Sequence, residues 1–203
     1  MRVRSGIVLT LLLLASATPA RAQWVATPYL GINFAGDVET GKGGFGGAIG
    51  YVGGRVGFEF DVQQYYHFFK DADVAGLVPS TTDPGAPRAG IDLDTDARSF
   101  MGNVLVPIRV PGATKFRPYG TAGIGVIRAV FETSYALADT DQNNLGFNIG
   151  GGLMYALNDR LGLRIDVRYL RALVDEDEHE GGFFEDYGFL RAAVGVTVGF
   201  GHK

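Results

Sequence analysis

The stretch Val56-Gly-Phe-Glu-Phe-Asp-Val-Gln-Gln-Tyr-Tyr-His-Phe-Phe69 decides the fold. Read as an extended chain, one face carries Val56, Phe58, Phe60, Val62, Gln64, Tyr66 and Phe68. The other carries Gly57, Glu59, Asp61, Gln63, Tyr65 and His67. Successive side chains of a strand point to opposite faces, so this segment predicts a strand with one apolar and one charged face.

Working outward, the same period recurs. In 161–173, Leu161, Leu163, Ile165, Val167 and Tyr169 oppose Arg164, Asp166 and Arg168. In 187–200, Leu190, Ala192, Val194, Val196, Val198 and Phe200 oppose Arg191, Gly195 and Thr197. In 145–157, Leu145, Phe147, Ile149, Leu153 and Tyr155 oppose Asn148, Gly150, Gly152 and Ala156. Four weaker segments at 24–34, 44–52, 100–110 and 117–131 complete a set of eight; the last is apolar on both faces, with Ala122, Ile124 and Val126 assigned to the apolar side. Short connections fall at 53–55, 111–115 and 158–160, and long ones at 35–43, 70–97, 132–144 and 174–186. Alternating short and long loops are the pattern of a transmembrane barrel, with short periplasmic turns and longer outer loops. The predicted fold is all-β: an eight-stranded antiparallel up-and-down transmembrane β-barrel over residues 23–203.

Residues 1–22 read as a secretory signal peptide. Arg2 and Arg4 give a basic start, Ile7 to Ala15 an apolar core, and Ala20-Arg21-Ala22 a cleavage site. The apolar run is shorter than the about 20 residues a spanning helix needs. Its removal takes three Arg and leaves 15 basic and 22 acidic side chains, a charge of −7. An acidic chain argues against a nucleic-acid partner. There is no Cys, hence no disulfide scaffold and no thiolate chemistry. At 46% hydrophobic the chain is too apolar for disorder.

Alternation alone does not say which face is inside, because a soluble barrel would bury the apolar one. Three features favour lipid outside. The only lysines after residue 22 are Lys42, Lys70, Lys115 and Lys203, none on a strand face. The charged faces are rich in Gly and Ala, which suit a narrow filled interior. Trp24, Tyr29, Tyr51, Tyr66, Phe68, Phe69, Tyr119, Tyr155, Tyr187 and Phe200 fall near segment ends, where aromatic girdles are expected.

The chain resembles the OmpA-like and OmpX-like small outer-membrane barrels of Gram-negative bacteria. The residues that carry the resemblance are Arg117-Pro-Tyr-Gly-Thr-Ala-Gly-Ile-Gly-Val126, Gly150-Gly-Gly-Leu-Met-Tyr-Ala-Leu157 with Asn158-Asp-Arg, and Leu163-Arg-Ile-Asp-Val-Arg-Tyr169. The end Val194-Gly-Val-Thr-Val-Gly-Phe200 is similar to the C-terminal assembly signal of that class, with Val196, Val198 and Phe200 as its repeat. The resemblance implies residence in the bacterial outer membrane, contact with its lipids and lipopolysaccharide, and insertion by the outer-membrane assembly machinery. It specifies fold more than activity.

Eight strands leave an interior that side chains just fill. Across it, a network is expected between Glu59 and Asp61 on the third strand and Arg164, Asp166, Arg168 and Arg191 on the last two. Counted from the short turns, Glu59 stands level with Arg164 and Gln63 with Arg168. The expected function is structural or surface-interaction, with a monomeric barrel; the alternatives are a narrow ion-conducting pore and, third, a lipid A-modifying enzyme. For the last, Ser99 and His67 fall on neighbouring strands near one rim, but no H-x-S motif occurs. No catalytic, cofactor or metal residues are assigned. Asp92-Leu-Asp-Thr-Asp96 opens like a calcium loop, yet Ala97 replaces the needed Gly and Asn103 the closing Glu. The acidic run Asp175-Glu-Asp-Glu-His-Glu180, with Glu185 and Asp186, reads as a solvated loop whose alternative is divalent-ion bridging.

Overall fold

A computed structural model describes residues 23–68, 94–113, 115–132, 140–173 and 187–200. The predicted signal peptide, the loop tips at 69–93, 133–139 and 174–186 and the final three residues lie outside that set, and so do His179, Ser80 and the acidic run.

Eight strands follow one another: β1 (Gln23–Gly36), β2 (Gly43–Val52), β3 (Gly57–Tyr65), β4 (Asp94–Pro107), β5 (Phe116–Glu132), β6 (Thr140–Ala156), β7 (Leu161–Leu173) and β8 (Tyr187–Phe200). Each pairs antiparallel with its sequence neighbour, and β1 pairs with β8 to close the barrel. Closure leaves no sheet edge, the condition for a strand protein to face hydrocarbon, where no water satisfies backbone groups. The β6–β7 turn shows how the short connections form. Asn158 Oδ1 accepts from the backbone N–H of Arg160 at 2.9 Å and of Leu161 at 2.8 Å, so one side chain closes the turn.

The faces fall as the alternation requires. Leu30, Phe58, Phe60, Ile124, Leu145, Ile149, Ile165 and Val194 point outward, each more than half exposed. Glu59, Asp61, Gln63, Arg164, Asp166, Arg168 and Arg191 point inward and are buried. Two aromatic belts bound the apolar band. Near the short turns, Trp24 meets Tyr51 edge-on at 5.8 Å and Phe116 meets Tyr155 at 5.1 Å. Near the long loops, Phe45 meets Tyr66 at 6.0 Å and Phe147 meets Tyr169 at 6.5 Å. Along β1 the belts are ten residues apart, Trp24 to Phe34. At about 3.3 Å per residue and a tilt of about 40°, that is a band of roughly 25 Å, the height expected of an outer-membrane barrel. Replacing mid-band Ile124, 71% exposed, by Arg is therefore expected to cost about 2–4 kcal/mol of stability in bilayers. Urea unfolding from lipid vesicles measures this; an unchanged midpoint would mean that this face meets water.

Several sequence expectations are corrected. Tyr29, Tyr119, Tyr187 and Phe68 are not belt residues: they are 8%, 3%, 6% and 0% exposed and lie inside. Strand β3 ends at Tyr65, earlier than its alternation does. His67 has φ 48°, in the left-handed region, and this kink breaks the period. His67 is thereby exposed and Phe68 turns into the barrel, the reverse of the expected faces. Strand β4 runs from Asp94 to Pro107 instead of the expected 100–110, so Asp94-Thr95-Asp96 is strand, in keeping with the rejected calcium-loop match. Asp96 accepts instead from Gln64 Nε2 at 2.9 Å, across the β3–β4 pair.

Candidate functional site: the filled barrel interior

Two layers fill most of the described interior, and Val25, Thr27, Val52, Leu105 and Thr197 close its short-turn end. The layer nearer the short turns is ionic. Inward positions on β3, β7 and β8 deliver three carboxylates and three guanidiniums to the same section of the lumen. Arg164 forms an ion pair with Glu59 through Nη1, and its Nη2 lies 3.1 Å from Asp166. Arg168 Nη2 reaches both Glu59 at 2.9 Å and Asp166 at 3.2 Å. Arg191 spans the two ends of the set, at 3.4 Å from Asp61 and 3.2 Å from Asp166. Asp61 is also 4.0 Å from Arg168. All six residues are at most 6% exposed.

Tyrosines and amides extend the network to the other strands. Tyr119 donates to Asp166 at 3.1 Å, and its hydroxyl accepts from Arg164 Nε at 2.7 Å. Tyr29 donates to Asp61 at 2.9 Å, and its hydroxyl accepts from Arg191 at 3.2 Å. The guanidiniums of Arg164 and Arg191 also lie over the Tyr119 and Tyr29 rings at 5.0 and 5.2 Å. Asn148 donates to Asn103 at 2.7 Å, and Asn103 donates to Glu59 at 3.4 Å. The chain of contacts thus touches β1, β3, β4, β5, β6, β7 and β8. Gln63 does not meet Arg168: its Oε1 accepts from Arg191 at 2.5 Å, and Arg191 stands opposite Arg168 in the β7–β8 ladder. Arg168 instead bends toward the short-turn end to reach Glu59. Among the described residues, six buried polar atoms in this layer have no protein hydrogen-bond partner: Asn33 Oδ1, Gln63 Nε2, Thr121 Oγ1, Asn148 Oδ1 and the Nε of Arg168 and Arg191. Ordered water commonly serves such atoms.

Glycine makes the room. An added Cβ at Gly152 would meet the Ile165 carbonyl, the Tyr119 hydroxyl and Asp166 Cβ. A larger residue there would displace the pair that holds Arg164.

The layer nearer the long loops is apolar. Val38, Tyr65, Phe68, Ala97, Met101, Ile127, Leu170, Ala172, Tyr187 and Phe189 form one buried cluster. Phe68 is its hub, with ring centroids 5.2 Å from Tyr65, 5.0 Å from Phe189 and 5.9 Å from Tyr187. Val38 and Phe68 come from connections, not strands, and both are fully buried. A latch holds them. Asp37 N–H donates to the Gly188 carbonyl at 2.9 Å, and Gly188 N–H donates to Asp37 Oδ2 at 2.9 Å. Glu39 N–H donates to the Phe68 carbonyl at 2.9 Å. Gly36 opens the turn with φ 122°, where a Cβ would strike the backbone of Gly188 and Phe189. The sequence reading missed this layer, because the inward phases at its level are shared by Ala, Met and Tyr. A run of inward apolar residues at the long-loop ends of several strands was the available signal.

The structure places Ser99 and His67 in different surroundings. Ser99 is fully buried with its hydroxyl 3.4 Å from that of Tyr65, while His67 is exposed beyond the end of β3. Among the described residues no group of His, Asp and Glu is arranged to hold a metal. Val196, Val198 and Phe200 line the outer face of β8, at 43%, 39% and 44% exposure.

A closed eight-stranded sheet, lipid-facing apolar side chains between aromatic belts and a side-chain-filled lumen define a small outer-membrane barrel. The chain belongs to the outer membrane protein beta-barrel domain family, whose model matches residues 7–201, and it resides in the bacterial outer membrane. No curated protein matches it by sequence. Solved structures of similar fold include Neisserial surface protein A, with 14% identity, TM-score 0.58, and coverage of 91% of this chain and 100% of that one. The N-terminal barrel of Pseudomonas aeruginosa OprF has 17% identity, TM-score 0.54, and coverage of 90% and 100%. Ail, the attachment invasion locus protein of Yersinia pestis, has 16% identity, TM-score 0.51, and coverage of 88% and 98%. At these identities the likeness is one of fold.

Proposed function

We propose that this protein is a sealed, non-enzymatic outer-membrane anchor that holds its long connections at the cell surface, where they make its contacts. The observation that carries this reading is the two-layer filling of the lumen. An ion or solute passing through would have to separate six mutually paired charges and then cross the cluster around Phe68. Leaving one of those charges without its partner is costly in a buried site. The apolar cluster offers a desolvated ion no replacement for its hydration shell.

In this reading Glu59, Asp61, Arg164, Asp166, Arg168 and Arg191 are a structural plug. The barrel stands as a monomer in lipid and lipopolysaccharide, and Val196, Val198 and Phe200 are read by the assembly machinery after residues 1–22 direct export. Ail, of the same fold, is an attachment protein by its name, which supports a surface role for the loops here.

Reconstituted in planar bilayers in concentrated KCl, the full barrel is expected to give no steady conductance. Stable nanosiemens steps would overturn the sealed reading in favour of a pore. The surface role is tested on cells: replacing 70–93 and 174–186 by short Gly-Ser connections should keep the barrel folded and abolish adhesion of the cells to host surfaces.

A further inference from the structure

The end of the barrel that carries the short turns faces the periplasm, and it is basic. Arg55, Arg109, Lys115, Arg117 and Arg160 are all exposed there, against Asp159 as the one carboxylate among the described residues at that end. Among the described residues, no carboxylate lies within ion-pair distance of Arg109, Lys115 or Arg117. Three of these five cations sit on one hairpin. The β4–β5 connection does not end with its strands: Ile108 N–H donates to the Pro118 carbonyl at 2.8 Å, and Ala113 N–H to the Val110 carbonyl at 3.2 Å. It is a built tongue that projects past the rim.

This tongue is amphipathic. Ile108, Val110 and Phe116 are 55%, 46% and 52% exposed and continue the outward phase of Val104 and Val106. Arg109 and Arg117 take the opposite phase. Between the tongue and the Gly53–Gly54 turn lies a cleft of about 630 Å³, walled by Ile108, Arg109, Val110 and Arg117. That volume is within the range of small-molecule sites, about 300–1,000 Å³. Phe116 also belongs to the inner aromatic belt, which marks the depth of the inner-leaflet headgroups. Two unpaired guanidiniums are suited to the oxygens of one phosphate. Exposed apolar side chains at the same mouth are suited to the chain attached to it.

We propose that the Arg109–Arg117 cleft binds the phosphate of an anionic phospholipid in the inner leaflet, whose acyl chain lies along Ile108, Val110 and Phe116. A soluble anion would use the two arginines and leave the apolar wall unexplained. The cleft is lined by no residue of the ionic network or of the cluster around Phe68, so its occupancy is independent of whether the lumen conducts.

The test is lipid retention by the detergent-solubilised full barrel, read by native mass spectrometry with equal phosphatidylglycerol and phosphatidylcholine. A basic residue beside an anionic lipid surface is worth about fivefold in partitioning. The barrel is expected to retain phosphatidylglycerol at least fivefold over phosphatidylcholine, less so at high salt. The double variant Arg109→Gln/Arg117→Gln should lose the preference, and Arg160→Gln, on the same rim but away from the cleft, should keep it. Retained heat-modifiable mobility on gels shows that each variant is folded. Equal retention of both lipids overturns the proposal. So does a preference that survives the double variant, or displacement of the lipid by equimolar inorganic phosphate. Binding to isolated cell-wall sacculi that the double variant loses, with lipid retention unchanged, would move the partner to the cell wall and overturn it as well.

Discussion

Arg191→Met lowers the unfolding free energy of the lipid-embedded barrel by about 3–5 kcal/mol, the cost of stranding buried charge. Arg191 is 1% exposed and holds four partners from three strands: Tyr29, Asp61, Gln63 and Asp166. Its removal leaves three carboxylates against two guanidiniums in a section that admits little water. Met keeps much of the side-chain volume, so the loss reports charge rather than a hole. Adding Asp61→Asn restores two carboxylates against two guanidiniums. The double variant is expected to recover part of the loss, a coupling of about 0.5–3 kcal/mol. Urea titrations from vesicles, with all four members of the cycle, give the number. Strict additivity of the two changes would show that Asp61 and Arg191 do not act as a pair.

Phe189→Ala removes a fully buried ring from the upper layer and is expected to cost about 3–5 kcal/mol. Its ring stands edge-on to Phe68 at 5.0 Å and 83°, and to Tyr65 at 5.4 Å and 88°. Phe189 also sits opposite Gly36 in the β1–β8 ladder and beside Gly188, which latches Asp37. Loss of the ring therefore has a local signature. Phe68 and Val38 lose their seat, and the Asp37, Glu39 and Gly188 amides should exchange hydrogen much faster while the Glu59–Arg164 layer stays protected. Amide exchange in micelles separates the two layers. Uniform loss of protection would mean that the lumen is one cooperative unit.

Much of this was legible from single residues. Period-2 alternation is a local property of the chain, so the in-or-out identity of Phe58, Glu59, Arg164 and Arg191 follows from neighbours two positions away. The sign of the faces was legible as well, because a solvated sheet face would not consist of Gly, Ala and a few Asp and Arg with no Lys. The inner ionic residues could be named because they are the charged side chains on inward phases.

What the period could not give was height and path. The partner of Gln63 depends on how a long guanidinium side chain bends, and so it meets Arg191 rather than Arg168. His is among the non-glycine residues that more often adopt the left-handed conformation, but nothing in the two-residue period picks out His67 for it. Its kink follows the end of β3 at Tyr65, three residues short of the alternation's end at Phe68, and Phe68 goes inward against its phase. In the same way Tyr29 and Tyr119 look like belt residues because belts are recognised by position near a strand end, whereas their inward phase places them on the charged network.

By itself the sequence determined the eight strands, their alternating turn lengths, the apolar outside and the membership of the ionic layer, because each rests on spacing along one chain. Only the tertiary structure decided which guanidinium meets which carboxylate and that a second, dry layer stands above them. It alone showed that a basic tongue and the Gly53–Gly54 turn face each other across a cleft at the periplasmic rim. These depend on the stagger of strands around a closed barrel and on backbone outside the strands, neither of which is written in a two-residue period.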